Sequence, residues 1–135
     1  FREARILIAA ISIRLKRYEE AERHLDALDA EGPDTESLTL RGQLHAARGN
    51  TEAALESFRA ASRSDGECAA AWAGEAMVLE TLERHEESLE RIRKAIEIDP
   101  HQPVFHLQLS GLLHAMGRTE EAEAAEAALK SMMEG

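Results

Sequence analysis

The sequence predicts an all-helical fold of four stacked helix hairpins, and three observations predict it. The chain superimposes on itself when shifted by about 34 residues: Leu38, Trp72 and His106 share one slot, Gly49, Glu83 and Gly117 a second, Glu52, Glu86 and Glu120 a third. Ala54, Ser88 and Ala122 share a fourth, Phe58, Ile92 and Glu126 a fifth, and Ala61, Ala95 and Leu129 a sixth. Within each copy the apolar residues recur at helical spacing and break once, at turn residues. Hydrophobic residues make up 44% of the chain but aromatics only 4%, so alanine carries much of the apolar fraction and sheets are disfavoured.

Helices are expected at about 2–15, 18–30, 35–48, 51–64, 69–82, 85–98, 103–116 and 119–133. An earlier copy, one residue shorter, places Tyr18, Glu19, Ala21, Leu25, Leu28 and Pro33 in the same frame. Lys16-Arg17, Gly49-Asn50, Arg84-His85 and Gly117-Arg118 break the helices inside each copy. Between copies, Gly32-Pro33-Asp34, Asp65-Gly66 and Asp99-Pro100-His101-Gln102-Pro103 stop one helix and start the next. Acidic residues (Glu19-Glu20, Glu52, Glu86-Glu87, Glu120-Glu121) open each second helix, where they complement free amide groups and the helix dipole. One array over residues 1–135 follows, with units at about 2–34, 35–68, 69–102 and 103–135.

This pattern resembles the tetratricopeptide repeat family. The third unit, counted from Ala69, has Trp72 at position 4, Ala76 at 8, Ile92 at 24, Ala95 at 27 and Pro100 at 32; the second, from Thr35, adds Gly42, Gly49, Ala54, Phe58 and Ala61. Departures are the non-aromatic position 17 outside Tyr18, Ser88 at position 20, and Glu126 where a bulky core residue belongs. The resemblance implies a right-handed α-solenoid of four helix-turn-helix repeats, in which a single hairpin cannot cover both of its apolar faces and neighbours share a continuous core. Trp72, Phe58 and Ile92 are read as fillers of the holes between helices.

The family geometry also implies that first helices line a concave groove through positions 2, 5, 9 and 12 of each unit. The residues expected there include Ile6, Ala10, Ile13, Thr39, Gln43, Ala73, Met77, Val104, Leu107 and His114, mostly small or apolar. Such a groove suits a helix or extended peptide with apolar anchors, since burying one Leu or Phe is worth about 1.5–3 kcal/mol. The Lys and Asn residues by which some members clamp a chaperone's terminal carboxylate are missing: Ile6, Ala10, Gln43, Ala70 and Gly74 stand in or beside those slots. The leading reading is a protein-interaction module or scaffold. The alternatives are a structural or self-assembly segment of a larger repeat protein, and an accessory array beside a catalytic domain outside this stretch.

Chemistry of other kinds is poorly supported. Twenty-six acidic against 16 basic residues give a formal net charge of -10 and a pI near 5.1, which argues against nucleic acid or an anionic membrane as partner. The longest apolar run, Ile6 to Ile13, is too short to span a bilayer. His106 and His114 stand about 12 Å apart along one expected helix, and no histidine pair has ligand spacing, so no metal or cofactor is expected. Cys68, the only cysteine, sits at a junction between units without a partnering motif, and no glycine-rich phosphate loop exists. No enzymatic activity is expected. Abundant arginine and alanine point to a GC-rich bacterial genome, with the cytoplasm favoured over the periplasm.

The two ends differ. Glu126 and its neighbours suit a terminal helix facing water. The first helix instead carries Ile6, Leu7, Ile8, Ala9, Ala10, Ile11, Ile13 and Leu15, apolar nearly all round. With Phe1 in place of a start methionine, the expectation is a piece of a protein that continues upstream, whose first helix is covered by self-association or by a partner.

Overall fold

A computed structural model describes all 135 residues and contains eight α-helices with no strand. The helices are α1 (Arg2–Arg14), α2 (Tyr18–Ala30), α3 (Thr35–Ala47), α4 (Thr51–Ser64), α5 (Ala69–Thr81), α6 (His85–Ile98), α7 (Pro103–Ala115) and α8 (Thr119–Glu134). Each first helix ends one residue before the expected bound, because the chain turns left-handed two residues later. Lys16, Gly49, Glu83 and Gly117 hold φ of 63°, 81°, 60° and 74°. The residue after each donates its N–H five residues back: Arg17 to Ser12 O, Asn50 to His45 O, Arg84 to Leu79 O and Arg118 to Leu113 O, at 2.8–2.9 Å. This is the Schellman closure that satisfies the last carbonyls of a helix, and two of the four units make it without glycine.

The helix starts are equally local in origin. Asp34 Oδ1 accepts from Ser37 N–H at 3.0 Å while Ser37 Oγ accepts from Asp34 N–H at 2.9 Å, a reciprocal cap on α3. Pro103 opens α7 at a position whose N–H would be unpaired anyway. Position 4 ties each later junction: Trp72 Nε1–H donates to Gly66 O at 2.9 Å, and His106 Nε2 lies 2.8 Å from Pro100 O.

Every α1–α2, α3–α4, α5–α6 and α7–α8 pair packs as a hairpin, and each second helix packs on the next first helix. First helices also pack on one another along the array (α1 on α3, α3 on α5, α5 on α7), whereas second helices reach one another only through long side chains, Arg59 to Glu87 and Arg93 to Glu121. The stack therefore curves with first helices inside and second helices outside. Position 24 fills the core between units: Leu25, Phe58 and Ile92 are fully buried. Small residues at position 20 (Ala21, Ala54, Ser88, Ala122) are also buried. Ser88 departs from alanine without cost, since its hydroxyl donates to Ala76 O at 2.6 Å inside the hairpin.

Trp72 is a correction to the expected core. It is only partly buried, packed at the margin of the cluster around Ile92 with its indole N–H on the junction and Arg91 5.9 Å from its ring centroid. An indole with a polar tip is more stable with that tip on a carbonyl than sealed among apolar groups. Glu126 behaves as its sequence context suggests: exposed, with Ser110 donating to it at 2.7 Å and His114 Nε2 2.6 Å from the same Oε1.

Candidate binding groove

The inner surface is built by α1, α3, α5 and α7, and its residues follow from helical register. On α1, Ile6, Ala10 and Ile13 are half-buried against the core formed with α2 and α3. On α3, Thr39 is buried, its hydroxyl donating to Thr35 O at 2.7 Å, while Gln43 is exposed. On α5, Ala73 is buried and its carbonyl accepts from the Gln108 side-chain amide of α7 at 2.9 Å; Met77 stands 47% exposed. On α7, Val104 and Leu107 are 55% and 59% exposed, and His114 turns to Glu126 of α8.

The ten residues thus divide by depth. Thr39 and Ala73 lie where first helices meet, Ile6, Ala10 and Ile13 form half-covered walls, Met77, Val104 and Leu107 project apolar atoms into water, and Gln43 and His114 are exposed and polar. A small apolar pocket of about 190 Å³ opens between α1, α3 and α5, lined by Ile6, Glu36, Thr39, Leu40, Cys68 and Ala70. Leu40, one residue past the inward slot of Thr39, and Cys68, at the junction before α5, stand outside the positions from which the groove was expected. A second recess of about 200 Å³ lies beside Met77, with Ala46, Gly49, Thr51, Val78 and Thr81. The inward slots carry Glu3, Glu36 and Glu80 and no lysine or arginine, so the groove is apolar with a negative rim.

A second polar feature, on the other side of α5, escaped sequence reasoning. Glu75 is 2% exposed, and its Oε1 accepts from Arg59 Nε of α4 at 3.1 Å and from Arg91 Nε of α6 at 2.9 Å. The available signal was a lone charge inside the apolar stretch Ala69–Leu79. Removing either arginine would leave a buried carboxylate under-compensated, which is costly.

The tetratricopeptide repeat family model matches residues 39–103. No curated protein matches in sequence. Among solved structures, MamA from Desulfovibrio magneticus RS-1 is 16% identical, with a TM-score of 0.83 over 99% of this chain and 76% of that one. A thermophilic TPR protein of Thermus thermophilus is 18% identical, with a TM-score of 0.87 over 98% and 74%. The O-GlcNAc transferase of Thermobaculum terrenum, in a mutant form, is 26% identical over 84% of this chain, at a TM-score of 0.79, and the match spans 22% of that enzyme. These likenesses extend the repeat fold to the whole chain, an α-solenoid of stacked helix hairpins.

Proposed function

We propose that the concave face holds a peptide or helical segment of a protein partner: residues 39–103 match the tetratricopeptide repeat family, whose fold supports an interaction-scaffold role in general. The observation that carries this reading is the row of uncovered apolar side chains, Met77, Val104 and Leu107, on adjoining first helices. Side chains of this kind repay burial by a partner's apolar anchors. With Glu3, Glu36 and Glu80 at the rim and a net charge of -10, the preferred segment has apolar anchors flanked by lysine or arginine. The test is selection from a random displayed-peptide library. Enriched peptides should carry that pattern and lose binding to Met77→Glu and Leu107→Glu, while melting temperature stays nearly constant, since exposed substitutions cost within about 0.5 kcal/mol. Selected peptides that bind both variants unchanged would refute the groove.

A second reading, association of copies through α1, rests on a separate observation. Leu7, Ile11 and Leu15 are 63%, 55% and 57% exposed. Their register equivalents in α3 are Leu40, Leu44 and Arg48, and in α5 Gly74, Val78 and Leu82, largely covered by the preceding second helix. The opposite end offers no matching surface: α8 places Glu123, Glu126 and Lys130 where α6 has Leu89, Ile92 and Ile96. Pairing is therefore head to head, α1 on α1. Ile6 and Ile13, half-buried against their own core, are poor probes of it. Light scattering over micromolar concentrations should show a dimer that Leu7→Glu with Ile11→Glu abolishes; a wild type that stays monomeric throughout refutes it.

A further inference from the structure

The convex side carries a pocket of about 260 Å³ lined by Arg59, Ser62 and Arg63 of α4, Trp72 and Glu75 of α5, and Arg91 of α6. We propose that this pocket binds a phosphate monoester, through the guanidinium groups of Arg59, Arg63 and Arg91 held around the buried Glu75 carboxylate.

Charge alone sets the place apart. In a chain with ten more acidic than basic residues, three arginines and one glutamate line a single recess. Glu75 offsets one of the three positive charges, its Oε1 accepting from the Nε atoms of Arg59 and Arg91, so the lining stays net cationic. The terminal nitrogens make only long, solvent-exposed ion pairs that an anion can displace: Arg59 Nη2 is 3.8 Å from Glu87, a carboxylate already held by Arg84 at 2.9 Å, and Arg91 Nη1 is 3.5 Å from the exposed Glu90. Arg63 makes no ion pair. A carboxylate buried between two repeats thus fixes two arginines that would otherwise be mobile, the arrangement by which an oxyanion site is built before its ligand arrives.

Pocket size and donor geometry select the ligand. The volume falls below that of sites for drug-sized molecules, so it admits one anionic group. A carboxylate is satisfied by a single bidentate arginine, whereas a phosphate monoester has three free oxygens and up to two charges, enough for three guanidinium groups. Ser62 and the Trp72 face complete the wall. Glu75 Oε2 is buried without a hydrogen-bond partner, and the proton of a monoprotonated phosphate, or a water entering with it, supplies the missing donor. The site is independent of the concave groove.

Trp72 is the only tryptophan of the chain, so its emission reports on the pocket directly. The full chain is titrated with inorganic phosphate, with a phosphoserine peptide, and with the same peptide carrying glutamate in place of phosphoserine. A saturable emission change with phosphate or phosphopeptide is expected, weakened about tenfold or more in Arg63→Gln, which is exposed and unpaired and so leaves the fold intact, and unchanged in Arg118→Gln on the distant α8 start. Tighter binding of the phosphopeptide than of phosphate assigns the ligand to a modified protein; equal binding assigns it to free phosphate. No saturation up to about 10 mM phosphate and phosphopeptide, equal affinity in Arg63→Gln, or equal affinity for the glutamate peptide overturns the proposal.

Discussion

Phe58 is fully buried on α4, and two glycines from the flanking first helices, Gly42 of α3 and Gly74 of α5, make room for its ring. A Cβ built on Gly42 would fall 2.8 Å from Phe58 Cδ1 and Cε1, and one on Gly74 closer still, on the same ring edge. Gly74→Ala therefore sets two effects against each other. Helix propensity favours alanine by about 1 kcal/mol. Overpacking against a rigid ring among Leu55, Val78 and Leu79 costs about 1–3 kcal/mol, with the closeness of this contact placing it at the upper end. A net loss of about 1–2 kcal/mol is expected, or several degrees in melting temperature. Gly111 provides the control: it too lies inside a helix, but nothing stands within 4 Å of its Cβ position, so Gly111→Ala should gain about 0.5–1 kcal/mol. Urea unfolding followed by circular dichroism measures both. Adding Phe58→Leu, which retracts the ring, should recover part of the Gly74→Ala loss, with a coupling of about 1 kcal/mol. If Gly74→Ala stabilises as Gly111→Ala does, or if the two substitutions are additive, the packing argument is wrong.

Other expectations use the same measurements. Glu83→Gly should stabilise by about 0.5–1 kcal/mol, because left-handed backbone costs a side chain about 1–2 kcal/mol, and the added freedom of the unfolded glycine returns part of that. Phe58→Ala should cost about 3–5 kcal/mol and Trp72→Ala clearly less, since only the first empties a sealed hole. Asp34 has its pKa held below the ordinary 3.8, first by the Ser37 N–H and then by Arg2. A depressed folded pKa contributes stability above the unfolded value that is lost as pH falls through the folded one. The wild type should accordingly lose stability below about pH 4, and Asp34→Asn, which keeps the cap acceptor but not the charge facing Arg2, should show a flatter acid limb, less stable than wild type at pH 7 and converging with it in acid. Asp34→Ala should cost about 1 kcal/mol at any pH where the cap is ionised.

Whatever depends on a few neighbouring residues is legible in the sequence. Helix spans, the breaks beside Lys16, Gly49, Arg84 and Gly117, the proline and glycine stops between units, and the 34-residue frame all follow from 3.6-residue periodicity and turn chemistry, and the observed bounds fall within one residue of those expected. Periodicity also identified Phe58 and Ile92 as core, because position 24 lies at the centre of a second helix's apolar stripe. What each face meets is set by the stacking of the units. Thr39, Ala73 and Leu107 share position 5 of their units, yet the first two are covered and the third exposed, since coverage depends on how closely adjoining first helices approach and not on position along one helix. Trp72 left the centre of the core for a carbonyl of the preceding junction, and Glu75, which in sequence interrupts an apolar run, is neutralised by arginines from two other helices. Such partners lie 16 residues away on either side, beyond any local pattern, and only the stacking of one repeat on the next brings them together.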